Sequence, residues 1–169
     1  MKTKYIFLFS VAIIALFAYA CQKEDGGNST LRIRMTDAPT ALEEVNIDLQ
    51  QVNIKFAKDS SGWVSMQTNA GIYNLLDFQN GLDTLIAQGT YPQGDVKEIR
   101  LVLGSNNSVK ESGQVYPLTI PSGSESGLKI KINKKLRTGL DSLLIDFDAL
   151  LSIKKERDNY KLRPVIKLK

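Results

Sequence analysis

Apolar and polar residues alternate along most of the chain with the period of two residues that is typical of β-strands. Leu31, Ile33 and Met35 alternate with Arg32 and Arg34, which predicts a half-buried first strand. The same pattern recurs in short segments, separated by turn signals, as far as the C-terminal segment 160–168. Eight to ten such strands predict an all-β fold, an antiparallel β-sandwich with at most one short helix.

Three local features modify this pattern. The apolar positions change parity at Gln50-Gln51, which predicts a β-bulge in the second strand. Leu82, Leu85 and Ile86 are spaced i, i+3, i+4, and this spacing predicts the one short helix. Pro117 cannot donate a ladder hydrogen bond and therefore indicates an edge strand or a bulged position.

The N-terminal segment has the pattern of a targeting sequence. Lys2 and Lys4 precede the uncharged 16-residue run Tyr5–Ala20. A membrane-spanning helix is the alternative, but at 1.5 Å per residue this run spans about 24 Å, less than the ~30 Å hydrocarbon core. Residues 1–20 are therefore predicted to be a signal peptide.

The single cysteine follows this segment directly. Ala18-Tyr19-Ala20 fits ordinary signal peptidase, whereas a small residue before Cys21 resembles the lipobox of bacterial lipoproteins. In that pattern the cysteine carries a diacylglycerol and an N-acyl chain, and two or more chains anchor a protein stably. We expect Cys21 to be the lipidation site, with simple secretion as the alternative.

The residues after the cysteine resemble a sorting signal. Lys23, Glu24 and Asp25 are similar to the signal that sends Bacteroidetes lipoproteins to the outer face of the outer membrane, although a solvated charged linker has the same composition. Residues 21–29 are expected to form a flexible tether and residues 30–169 a single domain. The expected location is the cell surface, with the membrane bound through the lipid anchor.

Composition narrows the chemistry. The chain of 169 residues has no histidine, which excludes Ser-His and Cys-His nucleophile pairs and most zinc sites. Catalysis would need carboxylates or a Ser/Lys pair. Ser122, Ser124, Ser126 and Lys129 are the candidates, but no motif supports them. We expect no enzymatic activity.

Carboxylates provide one candidate metal site. Asp146 and Asp148 share one face of a predicted strand, and with Asp37 they offer oxygen ligands to a hard cation such as Ca²⁺. The alternative is a solvated or arginine-paired carboxylate surface, because no loop supplies the further oxygens that calcium needs. No other cofactor is expected.

Basic and aromatic residues are the candidates for ligand binding. Residues 37–99 contain 3 basic and 9 acidic residues, whereas residues 100–169 contain 14 basic and 7 acidic ones. The basic strands predict a surface for the phosphate or sulfate groups of glycans, or simply a soluble surface, and its residues are Lys129, Lys131, Lys161, Arg163 and Lys167. Nucleic acid is not an expected partner outside the cell.

Aromatic residues provide another candidate for ligand binding. They form either a platform for sugars or part of the core, and they are Trp63, Tyr73, Tyr91 and Tyr116. For Trp63, burial is the preferred interpretation.

An ordered series of motifs resembles the domain of unknown function 4382, over about residues 30–168. These motifs are Thr36-Asp37-Ala38-Pro39, Trp63, Tyr73-Asn74-Leu75-Leu76, Gly89-Thr90-Tyr91, Ile99-Arg100-Leu101, Tyr116-Pro117-Leu118, 121–129, Asp146-Phe147-Asp148-Ala149 and Tyr160-Lys161-Leu162-Arg163-Pro164. The resemblance implies a β-rich domain of bacterial lipoproteins, many from Bacteroidetes, and a similarity to transthyretin-like sandwiches. It implies no established activity.

Two functions are therefore expected. The first is a non-catalytic module that binds or adheres to a glycan or protein at the cell surface. The second is a structural component of a cell-envelope complex that pairs through an exposed strand edge.

Overall fold

The computed structural model describes residues 26–38, 40–58, 62–120, 127–157 and 159–169. In these residues the chain forms strands and two short helical segments, a 3₁₀-helix at Leu75–Phe78 and the α-helix α1 at Ala149–Ser152. The strands are β1 (Asn28–Asp37), β2 (Glu44–Phe56), β3 (Val64–Ser65), β4 (Gln67–Thr68), β5 (Gly71–Asn74), β6 (Thr84–Pro92), β7 (Gly94–Leu103), β8 (Ser108–Glu111), β9 (Gln114–Thr119), β10 (Leu128–Leu136), β11 (Gly139–Phe147), β12 (Ile153–Glu156), β13 (Asn159–Leu162) and β14 (Ile166–Leu168). Neither helical segment of the described chain has the length and apolar character needed to cross a membrane.

The strands form two sheets, and the all-β sandwich predicted from the alternation is confirmed. The five-stranded sheet has the order β14-β11-β1-β6-β4. The nine-stranded sheet has the order β10-β7-β2-β8-β9-β13-β12, and β3 and β5 also pair with β2. Most neighbours are antiparallel, but β1 with β11 and β13 with β9 are parallel pairs. Buried aliphatic side chains from both sheets, such as Ile33 and Ile54, form one core.

The predicted β-bulge in β2 is confirmed. The register of β2 against β7 shifts between Leu49 and Gln51. After the bulge, the backbone N–H of Val52 donates to the Thr68 hydroxyl at 2.9 Å. The bulge lets apolar residues on both halves of a 13-residue strand face the same core.

The nine-stranded sheet divides at the connection between β7 and β8. Both strands pair with β2, β8 along Glu44–Asn46 and β7 along Leu49–Phe56. Beyond them, β10 continues one part of the sheet and β9 the other. The connecting residues 104–107 therefore lie where the two parts diverge.

Buried polar groups hold this division point together. The backbone N–H of Asp48 donates to Asn107 Oδ1 at 2.9 Å, and the Asn107 amide donates to the Gly104 carbonyl at 2.7 Å. The Gly104 N–H donates to the Asp48 carbonyl at 2.7 Å, and the Asp48 carboxylate accepts the Asn106 N–H at 3.1 Å. A Cβ on Gly104 would lie 2.2 Å from Asp48 Oδ2, so only glycine fits without a shift of this carboxylate.

Two expectations about local structure are wrong. The predicted helix at Leu82–Ile86 is largely strand β6, in which Ile86 is buried against the core. Three apolar residues at helical spacing are too short a pattern to separate helix from strand, and pairing with β1 decides the outcome. Pro117 is neither on an edge strand nor at a bulge, because β9 lies between β8 and β13 and its register with β8 has no shift at Pro117. The pairing with β13 begins only at Leu118, so at Pro117 itself β9 has no partner on that side in the described chain.

We predict that Asn107→Ala lowers the free energy of unfolding by about 2 kcal/mol. The substitution leaves the Asp48 N–H and the Gly104 carbonyl without their partner in a site where Asn107 is 5% exposed. Urea denaturation followed by circular dichroism measures the change. Asn106→Ala is the matched control, since Asn106 is exposed and contributes its backbone N–H. Equal losses in both variants would contradict the role of the Asn107 side chain.

Candidate functional site

Two of the predicted basic residues lie on an edge strand of the nine-stranded sheet. Lys129 and Lys131 are exposed on β10, and Ile130 between them faces the core. This alternation directs both lysines outward, as expected from the sequence. Within the described residues neither lysine forms an ion pair.

A third cation, which was not singled out from the sequence as a site residue, lies beside Lys129. Arg100 on β7 is its direct cross-strand neighbour. The Arg100 guanidinium carbon lies 4.3 Å from the centroid of the Trp63 ring, so Trp63 is half-buried by a cation–π contact. Arg100 Nε is buried and has no hydrogen-bond partner in the described part of the chain. We call Arg100, Lys129 and Lys131 the basic patch.

The position of the Arg100 side chain is also fixed from a second side. Gly127 has a φ of +68°, and a Cβ at this position would lie 2.8 Å from Arg100 Cγ. The residue is therefore held between the Trp63 ring and the backbone at the start of β10. The sequence signal for it was present in the alternation of Ile99-Arg100-Leu101, which places arginine on the outer surface.

The other predicted basic residues have acidic neighbours. Lys161 and Arg163 both pair with Glu156, the latter at 3.5 Å. Because the Lys161 ammonium hydrogen-bonds to it, the pKa of Glu156 is lowered. Lys167 is exposed on β14, in the five-stranded sheet, directly opposite Asp146. The five residues predicted as one surface therefore belong to three different surroundings.

A groove nevertheless connects parts of these surroundings. It has a volume of about 410 Å³. Lys129 and Lys131 line one side, and Pro164 and Ile166 line the other. The start of β10 is thereby placed beside the segment that leads into β14.

The three candidate metal ligands do not form one site. No group of three His, Cys, Asp or Glu side chains in the described ranges is arranged to hold a metal ion. Asp148 instead starts α1, since its carboxylate accepts the Leu151 N–H at 3.0 Å. Among the described residues the three aspartates are therefore not gathered into the ligand set of a calcium site, and Asp148 has a structural role as the N-cap of α1.

The other two aspartates are close enough to influence each other. Asp37 ends β1, is 4% exposed and accepts the Ala149 N–H at 2.8 Å. The pKa of Asp37 is raised to about 6, chiefly by burial and to a smaller extent by the charge of Asp146, while hydrogen bonds, including the one from the Ala149 N–H, lower it. Asp146 accepts a hydrogen bond from Lys169 Nζ at 2.9 Å. One oxygen of each aspartate, Asp37 Oδ2 and Asp146 Oδ1, is buried without a hydrogen-bond partner among the described residues.

The four candidate platform aromatics pack in four separate places. Trp63 contacts Arg100, and the rings of Tyr73, Tyr91 and Tyr116 pack against other aromatic rings. These partner rings belong to Phe78, Phe56 and Tyr160, respectively. Burial raises the pKa values of Tyr73 and Tyr91. The aromatic residues thus support packing at several points instead of forming one shared platform.

Several candidate residues lie outside the described residues. These include the predicted lipidation site Cys21 and the export-signal residues Lys23, Glu24 and Asp25, as well as Ser122, Ser124 and Ser126. Lys129, the base of the Ser/Lys alternative, is exposed, whereas a lysine that acts as a base at neutral pH needs desolvation.

Comparison with known proteins identifies the family. The family model described as Domain of unknown function (DUF4382) matches residues 28–164. The chain therefore belongs to this family, as its motifs indicated, and the match covers both sheets except for β14. No curated protein and no solved structure matches the chain.

We predict that a rise in pH lowers the stability of the wild-type protein relative to the Asp37→Asn variant, because asparagine cannot ionise. Folded Asp37 keeps its proton up to about pH 6, while the unfolded chain releases it near 3.8. The stabilising contribution is complete below the lower value and is lost as the pH rises through the higher one. The Asp37→Asn variant should gain roughly 2 kcal/mol relative to wild type between pH 4.5 and 7.5. Denaturation at both pH values measures this difference, and a constant difference would contradict it.

Proposed function

We propose that this chain, as a member of the DUF4382 family, is a non-catalytic binding module that holds an anionic ligand on the basic patch. The observation that carries the proposal is the direct pairing of Lys129 with Arg100 across β10 and β7. Within the described residues neither cation has an ion pair. Like charges that face each other across a sheet are unfavourable, and an anion would relieve this repulsion.

The chemistry of the patch favours oxyanions. A guanidinium presents planar donors that match sulfate, phosphate and carboxylate groups. The Trp63 ring stacks on the Arg100 guanidinium and Gly127 lies against the Arg100 stem, so less side-chain entropy is lost when a ligand binds. Lys129 and Lys131 add two exposed ammonium groups. The proposed ligand class is a glycan that carries sulfate, phosphate or carboxylate groups.

The cellular setting forms part of the same proposal. We place the domain on the outer face of the outer membrane, attached through a lipidated Cys21. The support is the signal-peptide pattern of residues 1–20 and the charged residues that follow Cys21. In this setting envelope or host glycans are the accessible polyanions, and nucleic acid is not.

Assembly through a strand edge is the alternative function, and one observation favours it. β14 covers only Ile145–Phe147 of β11, so residues 139–143 of this strand have no strand partner on that side in the described chain. Leu140 within this stretch is 62% exposed. The edge at β10 is a poorer candidate, because outward lysines and a register shift between Lys131 and Lys134 discourage pairing.

We predict that Lys129→Glu with Lys131→Glu weakens heparin binding by about tenfold or more, since two contacts are replaced by repulsion. A salt gradient on immobilised heparin and direct titration measure the loss. The melting temperature should change little, because both side chains are exposed.

The control is Lys97→Glu with Lys154→Glu. Both residues are exposed, neither has an ion pair in the described chain, and the change in net charge is the same. Equal loss of retention in the two double variants would mean that only net charge matters. That result would contradict the basic patch as a binding site.

Lipid anchoring has its own test. We predict that Cys21→Ser abolishes incorporation of labelled palmitate and moves the protein out of the membrane fraction or leaves uncleaved precursor, because serine offers no thiol for the thioether. Unchanged labelling and unchanged partitioning into detergent would contradict lipidation at this residue. The wild-type protein and the Cys21→Ser variant should bind heparin equally well.

A further inference from the structure

A cavity opens at the end of the sandwich where β1 begins. Its volume is about 700 Å³, within the range of small-molecule sites. Phe56 and Val64 line it from the nine-stranded sheet, and Tyr91 and Pro92 line it from the five-stranded sheet. Asn28 and Ser29, the first residues of β1, pair with Pro92 and Tyr91. We call this site the mouth cavity.

Two glycines create the room for its aromatic walls. The rings of Phe56 and Tyr91 lie 5.8 Å apart at 59°. A Cβ on Gly89 would lie 2.3 Å from the Tyr91 hydroxyl oxygen, so the tyrosine side chain rests directly over this glycine. A Cβ on Gly94 would lie 3.4 Å from the Phe56 ring, which is ordinary contact, and Gly94 itself lines the cavity. The two glycines, which lack side chains, therefore leave room for Tyr91 and Phe56 and for the cavity between the two sheets.

The rim adds charge to this apolar interior. Lys58 and Lys135 provide two cations and Asp95 one anion. None of the three forms an ion pair within the described ranges. The Tyr91 hydroxyl also makes no hydrogen bond to a described residue. Apolar walls with a net positive rim fit a molecule that has an apolar body and one anionic group.

We infer that the mouth cavity binds a small amphiphilic anion, with its apolar part between Phe56 and Tyr91 and its anionic group near Lys58 and Lys135. This site shares no residue with the basic patch. Its ligand needs an apolar body as well as an anionic group, whereas the ligand of the basic patch needs anionic groups only. Failure of either site therefore leaves the other untouched.

The test uses two probes that differ by one charged group. 8-Anilino-1-naphthalenesulfonate has an aromatic body and a sulfonate, and N-phenyl-1-naphthylamine is the same body without the sulfonate. Fluorescence titration of the folded domain should show saturable binding of the sulfonate probe, with decanoate displacing it. Lys58→Gln with Lys135→Gln should weaken the sulfonate probe roughly threefold to tenfold and leave the neutral probe unchanged.

Filling the cavity provides the second arm. Gly94→Val should remove binding of both probes, because the added methyl groups occupy space beside Phe56 while the strand conformation suits valine. Gly71→Val is the matched control, since a Cβ at Gly71, also in a strand, meets nothing within 4 Å. Cooperative melting of both variants confirms that they fold.

Three results would overturn the inference. The first is no saturable binding to wild type. The second is undiminished binding to Gly94→Val, which would place the probe elsewhere, for example on the exposed Leu150 and Leu151 of α1. The third is an equal loss of both probes in the lysine double variant, which would show that the rim charges select nothing. Heparin retention should stay unchanged in Gly94→Val.

Discussion

The hydrogen bonds around Asp48 set the geometry on which the nine-stranded sheet depends. β2 is long enough to pair with β7 and β8 in succession, and these two strands must then diverge toward different neighbours. Asp48 and Asn107 satisfy the backbone groups that the divergence leaves unpaired, in a place where water has little access. Without this buried network, β10 on one side and β9 on the other would lose their fixed relative positions. The basic patch depends on the position of β10, because Lys129 and Lys131 lie on that strand.

The alternation of apolar and polar residues predicted where the strands lie in the sequence, but not all of the pairs that they form. The strands, their inward residues and the bulge at Gln50-Gln51 follow from patterns within a few residues. The parallel pair of β1 with β11 does not, because it joins residues more than a hundred positions apart and no local signal records it. The helix predicted near Leu82 failed for the same reason, since pairing with β1 outweighed a weak local pattern.

The candidate sites also combine features that one strand determines with features that depend on contacts between distant residues. Outward positions on β10 could be predicted for Lys129 and Lys131, since they depend only on parity along one strand. The pairing of Lys161 and Arg163 with Glu156 depends on the pairing of β12 with β13, and the role of Asp148 depends on the start of α1. The alternation also predicts an outward position for Arg100. Its place in the basic patch depends on Trp63 and Lys129, which only the folded sheet brings beside it. Residue types thus predicted charge, and the fold decided which charges remain unpaired.

The lysines of β10 illustrate how one strand distributes charge among several tasks. By parity, Lys129, Lys131 and Lys135 belong to the outward surface, whereas Lys134 has the parity of the buried Ile130. The register against β7 also shifts between Lys131 and Lys134, so the two halves of the strand are not in one continuous alignment. Lys134 then reaches Asp141 in the opposite sheet at 2.7 Å, where it lowers the pKa of that carboxylate and ties the sheets together. Lys135 lies at the rim of the mouth cavity, while Lys129 stays beside Arg100. One basic strand therefore supplies two cations of the proposed binding patch, a link between the sheets and a cation at the rim of the mouth cavity.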